Sequence, residues 1–381
     1  MYYFDNAATT FQKPDLILDT YMRASREAAA NPGRSGHRLA KAAGLGIYEV
    51  REKIAQFFNI KNPMQIAFTS NGTEALNMGI KGVLKAGDHV ITTSMEHNSV
   101  LRPIHKLKEQ GIEVSIIDCN HQGCIDLDKI EAAIQPNSKM IVTTHASNLT
   151  GTLMPIQAIG ELAQRYELLY MVDGAQTAGV FPIDVQKMHI DILAVTGHKS
   201  LFGPQGTGFI YVKESLQLDS IKEGGTGSKS YEMVQPLLMP DLLESGTPNT
   251  PGIIALGAGI DFIQAEGLEK IYNHEYHLTQ KFIEGLALIP TVKYYGVESG
   301  VPRAPVVALN IGKEDSSMIS YYLDDEYDIA TRPGLHCAPL AHETIGTFEQ
   351  GCVRFSFGYF NTEAEIDYAL KAIQEIVKKY T

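Results

Sequence analysis

The sequence predicts an α/β protein: a mainly parallel sheet covered by helices on both faces, with a smaller α+β domain beside it. Three observations point there. Short apolar runs alternate with amphipathic segments between about residues 15 and 255, the pattern of strands buried on both faces and helices packed over them. The alternation stops near residue 256, where a long helical stretch leads into scattered strands. At 381 residues the chain exceeds one ordinary hydrophobic core. The expected division is a large domain over 15–255 and a small domain made of 1–14 together with 256–381.

The elements follow in order. "PDLILDTYMRASREAAA" opens on Pro14 and reads as a helix. "LAKAAGLGIYEVREKIAQFF" carries Ile47, Val50, Ile54 and Phe57 at helical spacing. "QIAFTS" is a strand and "GTEALNMGIKGVL" the helix after it. "HVITTS" is followed by the helix "SVLRPIHKLKEQG", which stops at Gly111. "EVSIID", "KMIVTTHAS", "LLYMVDGAQ" and "ILAVTG" are further strands, with helices such as "IQAIGELAQRYE" between them. Beyond 256, "IIALGAGIDFIQAEGLEKIYNHEYHLTQKFIEGLAL" reads as one long helix. "APVVALNI" and "CVRFSFG" are strands, and "TEAEIDYALKAIQEIVKKY" is a closing amphipathic helix. "GPQGTG" and "EGGTGS" are expected loops.

Composition excludes several classes. A net charge of -12 argues against nucleic acid or an anionic membrane as the main partner. Four cysteines do not make a disulfide framework. Cys119 and Cys124 bracket "NHQG", but with only His121 nearby the ligands are too few for a metal, and a hairpin turn with two buried thiols is expected. No metal site is expected elsewhere. The N-terminus lacks a basic n-region and an apolar h-region, and no apolar run approaches the ~20 residues of a membrane-spanning helix. A cytoplasmic protein with reduced thiols is expected. "GPQGTG" precedes a strand, the wrong context for a dinucleotide fingerprint.

Ligands of open α/β sheets bind at the carboxyl ends of the strands. The polar residues there are Asn71-Gly72-Thr73, Glu96-His97, Asn148, Asp173 to Gln176, and Thr196 to Lys199. Lys199, in a tight Gly-bounded turn, would be partly desolvated, which favours its neutral amine and Schiff-base chemistry; the bland alternative is a surface lysine. Asp173 ends an apolar strand and needs a cationic or hydrogen-bonding partner, such as a protonated pyridine nitrogen, or is an ordinary helix cap. Together the two residues are what a pyridoxal phosphate site requires. Backbone N–H groups of Gly72 and Thr73 at a helix start could hold its phosphate, although acidic Glu74 stands close by. His97 could stack on the ring.

"YFDNAATT", "VDGAQ", "TGHKSLFGPQGTGFIYV", "SGTPNTPGIIALGAGI" and "RPGLHCAP" together resemble the cysteine desulfurase branch of the class V aminotransferases, fold-type I pyridoxal phosphate enzymes. The resemblance runs nearly end to end. The short cysteine loop is similar to that of group II desulfurases and selenocysteine lyases. The resemblance implies that Lys199 holds pyridoxal 5'-phosphate as an imine and removes the Cα proton of L-cysteine. It implies that Asp173 pairs with the pyridine nitrogen, Gln176 with the phenolic oxygen, and His97 with the ring face. Gly72, Thr73, Thr196 and His198 would hold the phosphate, and Thr247 would reach the phosphate of the other subunit of a homodimer with shared sites. Asn148 and Arg354 would bind the substrate carboxylate, and Asn6, Ala7 and Ala8 would line its pocket. Arg332 would anchor the cysteine loop or face the substrate. Cys337 would take the sulfur as a persulfide and pass it to an acceptor protein, releasing L-alanine, in iron–sulfur cluster assembly or another sulfur-using pathway.

Arg354 also stands out without the resemblance, because an arginine in an apolar strand implies an anion facing it, either substrate or a protein carboxylate. A thiol nucleophile needs a base or a lowered pKa. His336 is not expected to be that base, since neighbours on an extended segment point apart. Two departures from the family pattern bear on the substrate. Leu335 stands where relatives commonly show histidine. Gly33 in "NPGRSGH" does too, although Arg34 and His37 remain. L-Selenocysteine, or another amino acid handled by a lyase of the same family, is the alternative substrate.

Overall fold

The structure, a computed structural model, describes residues 1–33 and 35–380. Arg34 lies outside the described residues. After β1 (Tyr2–Tyr3) come α1 (Asp15–Glu27) and α2 (Arg38–Phe57). The alternating region then runs β2 (Ile66–Thr69), α3 (Gly72–Val83), β3 (His89–Thr93), α4 (Asn98–Lys108), β4 (Glu113–Ile117), α5 (Leu127–Ala132), β5 (Ser138–Thr144), α6 (Ile156–Arg165), β6 (Leu169–Asp173), β7 (Ile192–Thr196) and β8 (Gly208–Val212). These strands form a seven-stranded sheet in the order β2-β8-β7-β6-β5-β3-β4. Only β8 runs against the others, pairing antiparallel with both β2 and β7.

Strand alternation divides the core into two layers. Val90, Met140, Met171 and Ala194 point to one face, where α3 and α4 bury Leu76, Ile80, Val100 and Ile104. Ile91, Ile141, Val172 and Leu193 point to the other face, against Ile47 and Ile54 of α2 and Ile159 of α6. Every residue of β3, β6 and β7 except Leu169 is buried. Their apolar runs therefore follow from burial on both sides.

The second half does not hold one long helix. α7 (Thr250–Glu266) and α8 (Leu268–Ala287) are separated at Gly267, whose φ of 91° turns the chain as a side-chain-bearing residue would resist doing. Residue 255, the expected junction between domains, falls inside α7, which packs on α1 and α2. Beyond it, β9 (Val292–Tyr294), β10 (Val306–Ile311), α9 (Ser316–Tyr327), β11 (Ile329–Ala330), β12 (Arg332–Gly334), α10 (Pro339–Ile345), β13 (Cys352–Ser356) and α11 (Glu363–Tyr380) follow. A four-stranded sheet in the order β12-β13-β10-β9 packs Val307, Leu309, Val353 and Phe355 against α8, α9 and α11. β1 pairs in parallel with β11, and Ser356 N–H donates to Phe4 O at 2.7 Å, so the N-terminus is sewn into this second unit.

The "NHQG" segment is a turn, not a hairpin. Asn120 N–H donates to Cys124 O at 2.9 Å, and the turn joins β4 to α5. Cys119 is buried and Cys124 is half-buried, so only one thiol matches the expected burial. Among the described residues, no three His, Cys, Asp or Glu side chains converge as metal ligands would, and no helix is long and apolar enough to cross a membrane.

Candidate functional site at the strand ends

The carboxyl ends of β2, β3, β5, β6 and β7 open onto one cavity of about 220 Å³. Its wall includes Gly72, Thr73, His97, Asp173, Gln176, Thr196, His198 and Lys199 from the large sheet. Ala7 and Ala8 enter from the N-terminal segment, Asn148 from the loop after β5, and Arg332 and Arg354 from β12 and β13. Most of the residues singled out in the sequence therefore meet in one place.

Each wall has its local cause. Asn71 caps α3, its side-chain oxygen accepting from Glu74 N–H at 2.9 Å, which leaves the first turn of α3 at the cavity. Glu74 does not oppose an anion there. Its carboxylate turns back onto Ser70 N–H at 2.6 Å and Lys222 Nζ at 2.9 Å. Thr73 Oγ1 and Ser99 Oγ are 2.8 Å apart, tying the N-termini of α3 and α4 together. His97 caps α4: its Nδ1 accepts from Ser99 N–H at 3.0 Å, so the ring is neutral with its proton on Nε2. Burial, with the charges of Lys199 and the nearby arginines, lowers its pKa to about 4.

Lys199 is half-buried, and desolvation of its amine lowers the pKa to about 8 against the upward pull of Asp173. Asp173, at the end of β6, is buried. Desolvation raises its pKa, opposed by the Ala175 N–H that donates to Oδ1 at 2.9 Å and by Lys199. Thr196 Oγ1 is buried and has no hydrogen-bond partner among the described residues. Behind this layer, Glu96 is wholly buried, and desolvation pushes its pKa up to about 8. It accepts from Thr93 Oγ1 at 2.6 Å and from Thr144 N–H at 2.8 Å, clipping the end of β3 to the end of β5.

Arg354 is fully buried on β13, directly opposite Arg332 of β12. It donates to Asn148 O at 3.0 Å and to Asp5 Oδ1 at 2.7 Å, and its Nε has no partner among the described residues. The anion that faces it in this structure is thus Asp5, a residue that sequence reasoning left unassigned. Arg332 lies on the same wall, and its guanidinium reaches Cys337 Sγ at 3.4 Å.

Cys337 is exposed at the rim. Its carbonyl accepts from Asn98 N–H at 2.7 Å, and the carbonyl of His336 accepts from Asn148 Nδ2 at 2.7 Å. The segment is not extended. His336 and Cys337 are both left-handed, with φ of 52° and 57°. The His336 ring is buried, so it is no base for the thiol, but the reason is this turn and not strand alternation.

Some expected residues are elsewhere. Asn6 turns into the second unit, donating to Ser356 O and Asn361 Oδ1, each at 3.1 Å, so it does not line the cavity as Ala7 and Ala8 do. Thr247 accepts from Asn31 Nδ2 at 3.2 Å and lines a different cleft of about 600 Å³, together with Gly33. Gln176 and His198 do line the Lys199 cavity: Gln176 donates to Ala7 O at 3.2 Å, and His198 Nδ1 lies 3.0 Å from Thr9 Oγ1. Leu335 is partly exposed beside the Cys337 turn.

Comparison with known proteins places this arrangement. Residues 2–369 match the family model described as aminotransferase class-V. The chain is 33% identical over 390 residues to a probable cysteine desulfurase of Synechocystis sp., covering 100% of this chain and 91% of that one. It is 34% identical over 375 residues to a cysteine desulfurase of Cronobacter sakazakii, covering 96% and 90%. The structure of the cysteine desulfurase from Thermococcus onnurineus superposes with a TM-score of 0.89 at 31% identity, covering 99% of this chain and 94% of that one.

Proposed function

The chain belongs to the class-V aminotransferase family, and we propose that it is a pyridoxal 5'-phosphate-dependent cysteine desulfurase that converts L-cysteine to L-alanine and takes the sulfur onto Cys337. The observation that carries the reading is Arg332, which lies on the wall of the Lys199 cavity and touches Cys337 Sγ at 3.4 Å. One side chain thus joins the amine-bearing cavity to an exposed thiol. The relatives named above favour this activity over that of a selenocysteine lyase.

The cavity suits the cofactor. The first turn of α3 offers Gly72 and Thr73 N–H groups to a phosphate, next to the unpartnered Thr196 hydroxyl. Thr247, from a neighbouring copy, and His198 complete the proposed phosphate site. Asp173 would hold the ring nitrogen in its protonated state, Gln176 would bond the phenolic oxygen, and Lys199 Nζ would be the point of attachment. When bound, the cofactor supplies an electron sink beside the substrate Cα.

The chain's own residues do the rest. Arg354 Nε and the Asn148 side chain would orient the substrate carboxylate between Ala7 and His97. Lys199, with its pKa near 8, can hold or release a proton at the substrate Cα near neutral pH. Cys337, as thiolate, would attack the substrate sulfur. An S–S bond forms as the substrate Cβ–S bond breaks, and Cβ keeps the bonding pair and is protonated to the methyl of alanine. Arg332 would balance the thiolate charge. The proposed working form is a homodimer in the cytoplasm that hands the persulfide sulfur to a thiol-bearing acceptor.

The test is direct. Purified protein should show a visible absorbance band that is lost in Lys199→Ala. Alanine formation from L-cysteine should collapse in Cys337→Ala. A band with no turnover of cysteine, or with turnover that survives in Cys337→Ala, defeats the reading.

A further inference from the structure

Two consecutive left-handed residues that are not glycine, His336 and Cys337, form the turn that presents the thiol. A side chain makes that backbone conformation strained, so the turn persists only where its surroundings over-determine it. Asn98 N–H and Asn148 Nδ2 hold the two carbonyls of the turn, and a second set of contacts runs through its buried side. His336 Nε2 lies 2.8 Å from Arg332 O, His336 Nδ1 lies 3.2 Å from His342 Nε2, and His342 Nδ1 lies 2.7 Å from Thr347 Oγ1.

Only one set of protons satisfies this chain while both rings are neutral. A carbonyl oxygen cannot donate, so His336 Nε2 carries a hydrogen and His336 Nδ1 is bare. His342 Nε2 must then donate to it, which leaves His342 Nδ1 to accept from the Thr347 hydroxyl. The two rings lie nearly parallel, with centroids 5.4 Å apart and 9° between their planes. His342 is wholly buried and His336 is 2% exposed. The charged groups facing the pair are Arg354 and Arg332, both cationic, and both disfavour a proton on it.

We propose that His342 is a positioning residue for the sulfur-accepting thiol: through the single donor it offers His336, it locks the left-handed turn that holds Cys337 at the cavity rim. The inference rests on Cys337 being the sulfur acceptor. His342 touches neither substrate nor thiol, and its effect travels through His336 alone.

The test compares His342→Leu, which removes the donor, with His342→Gln, whose amide can donate to His336 and accept from Thr347. The holoenzyme is assayed for kcat and KM with L-cysteine, and for the rate at which iodoacetamide alkylates Cys337. In His342→Leu, kcat should fall about tenfold with KM nearly unchanged, and alkylation of Cys337 should change severalfold. His342→Gln should restore both. Wild-type kcat and alkylation in His342→Leu would overturn the proposal, and so would equal loss in the two variants. Should His342→Leu not fold, Thr347→Val breaks the same chain at its far end and should shift kcat in the same direction; unchanged kcat there would also overturn it. Undiminished alanine formation in Cys337→Ala would remove the acceptor reading instead, while the alkylation comparison would still judge the lock.

Discussion

Asp5 and Arg354 form an ion pair at 2.7 Å, joining the first turn of the chain to β13, an inner strand of the smaller sheet. Arg354 is fully buried, whereas the Asp5 side chain keeps 21% exposure. Removing one partner of a buried pair strands the other charge. Asp5→Ala should therefore destabilise the protein by about 2 kcal/mol, below the usual range for a buried pair because Asp5 retains some solvent. Urea unfolding of wild type and variant measures it, and a change under about 0.5 kcal/mol would mean that other groups hold the guanidinium.

Attachment of an aldehyde cofactor needs a neutral amine. Desolvation lowers the Lys199 pKa to about 8, so the neutral fraction rises up to that pH and is nearly complete above it. The initial rate of pyridoxal phosphate uptake by cofactor-free protein, followed by absorbance, should climb about tenfold per unit below pH 8 and then level off. A climb continuing to pH 10 would show a solvated lysine.

The four thiols should separate by reactivity. Cys337 is exposed and should be alkylated first, and half-buried Cys124 more slowly. Burial pushes Cys119 and Cys352 up to about 12, leaving both inert while the protein is folded. Peptide mass spectrometry after timed iodoacetamide treatment gives the order. Early labelling of Cys352 would contradict the packing of β13.

Acid should unfold the protein. Among groups outside the cavity, burial lowers His89, His145, His336 and His342 and raises Glu96 and Glu275. For the histidines, stability is complete above the unfolded pKa near 6.5 and is lost as pH falls toward their folded values. The two carboxyls act the opposite way between about 4.5 and 8. Four imidazoles outweigh two carboxyls, each group contributing at most about 1.4 kcal/mol per pH unit. The urea midpoint should therefore drop steadily from pH 6.5 to pH 4.5, and a flat profile would show that these imidazoles are solvated.

Arg303 is fully buried and donates to the carbonyls of Val297, Thr150, Tyr295 and Val306, with no carboxylate on it among the described residues. It fastens the loop that carries Asn148 to β10. Arg303→Lys should cost about 3 kcal/mol or more, because an ammonium cannot reproduce the planar fork. Thermal unfolding of this variant, if it matches wild type, would rule the clamp out.

The strands and the helices of the first half were legible because burial on both faces writes itself as continuous apolar runs, as in "ILAVT" of β7. α7 and α8 read as one helix because α7 itself contains Gly257 and Gly259, so a glycine alone does not mark the break at Gly267. The Lys199 cavity was legible because strand ends collect polar residues close in sequence to their strands. Asp5, Arg303 and His342 were not assigned. Asp5 meets an arginine 349 residues away and Arg303 meets backbone carbonyls, neither of which leaves a local signature, while His342 reaches His336 only across a left-handed turn that the sequence does not mark. Asn6 was misplaced because neighbours on a turn diverge: Ala7 lines the cavity while Asn6 reaches Asn361.

The pairing of β1 with β11, and of Asp5 with Arg354, also sets a schedule. A ribosome makes the first member of the ion pair 349 residues before the second, a wait on the order of 20 to 70 seconds at ordinary rates of synthesis. Through that interval Phe4, fully buried at the end, has no completed partner surface. The large sheet can close while translation continues, but the arginine wall of the cavity cannot. A nascent chain truncated before β13 would thus carry Lys199 without Arg354 beside it.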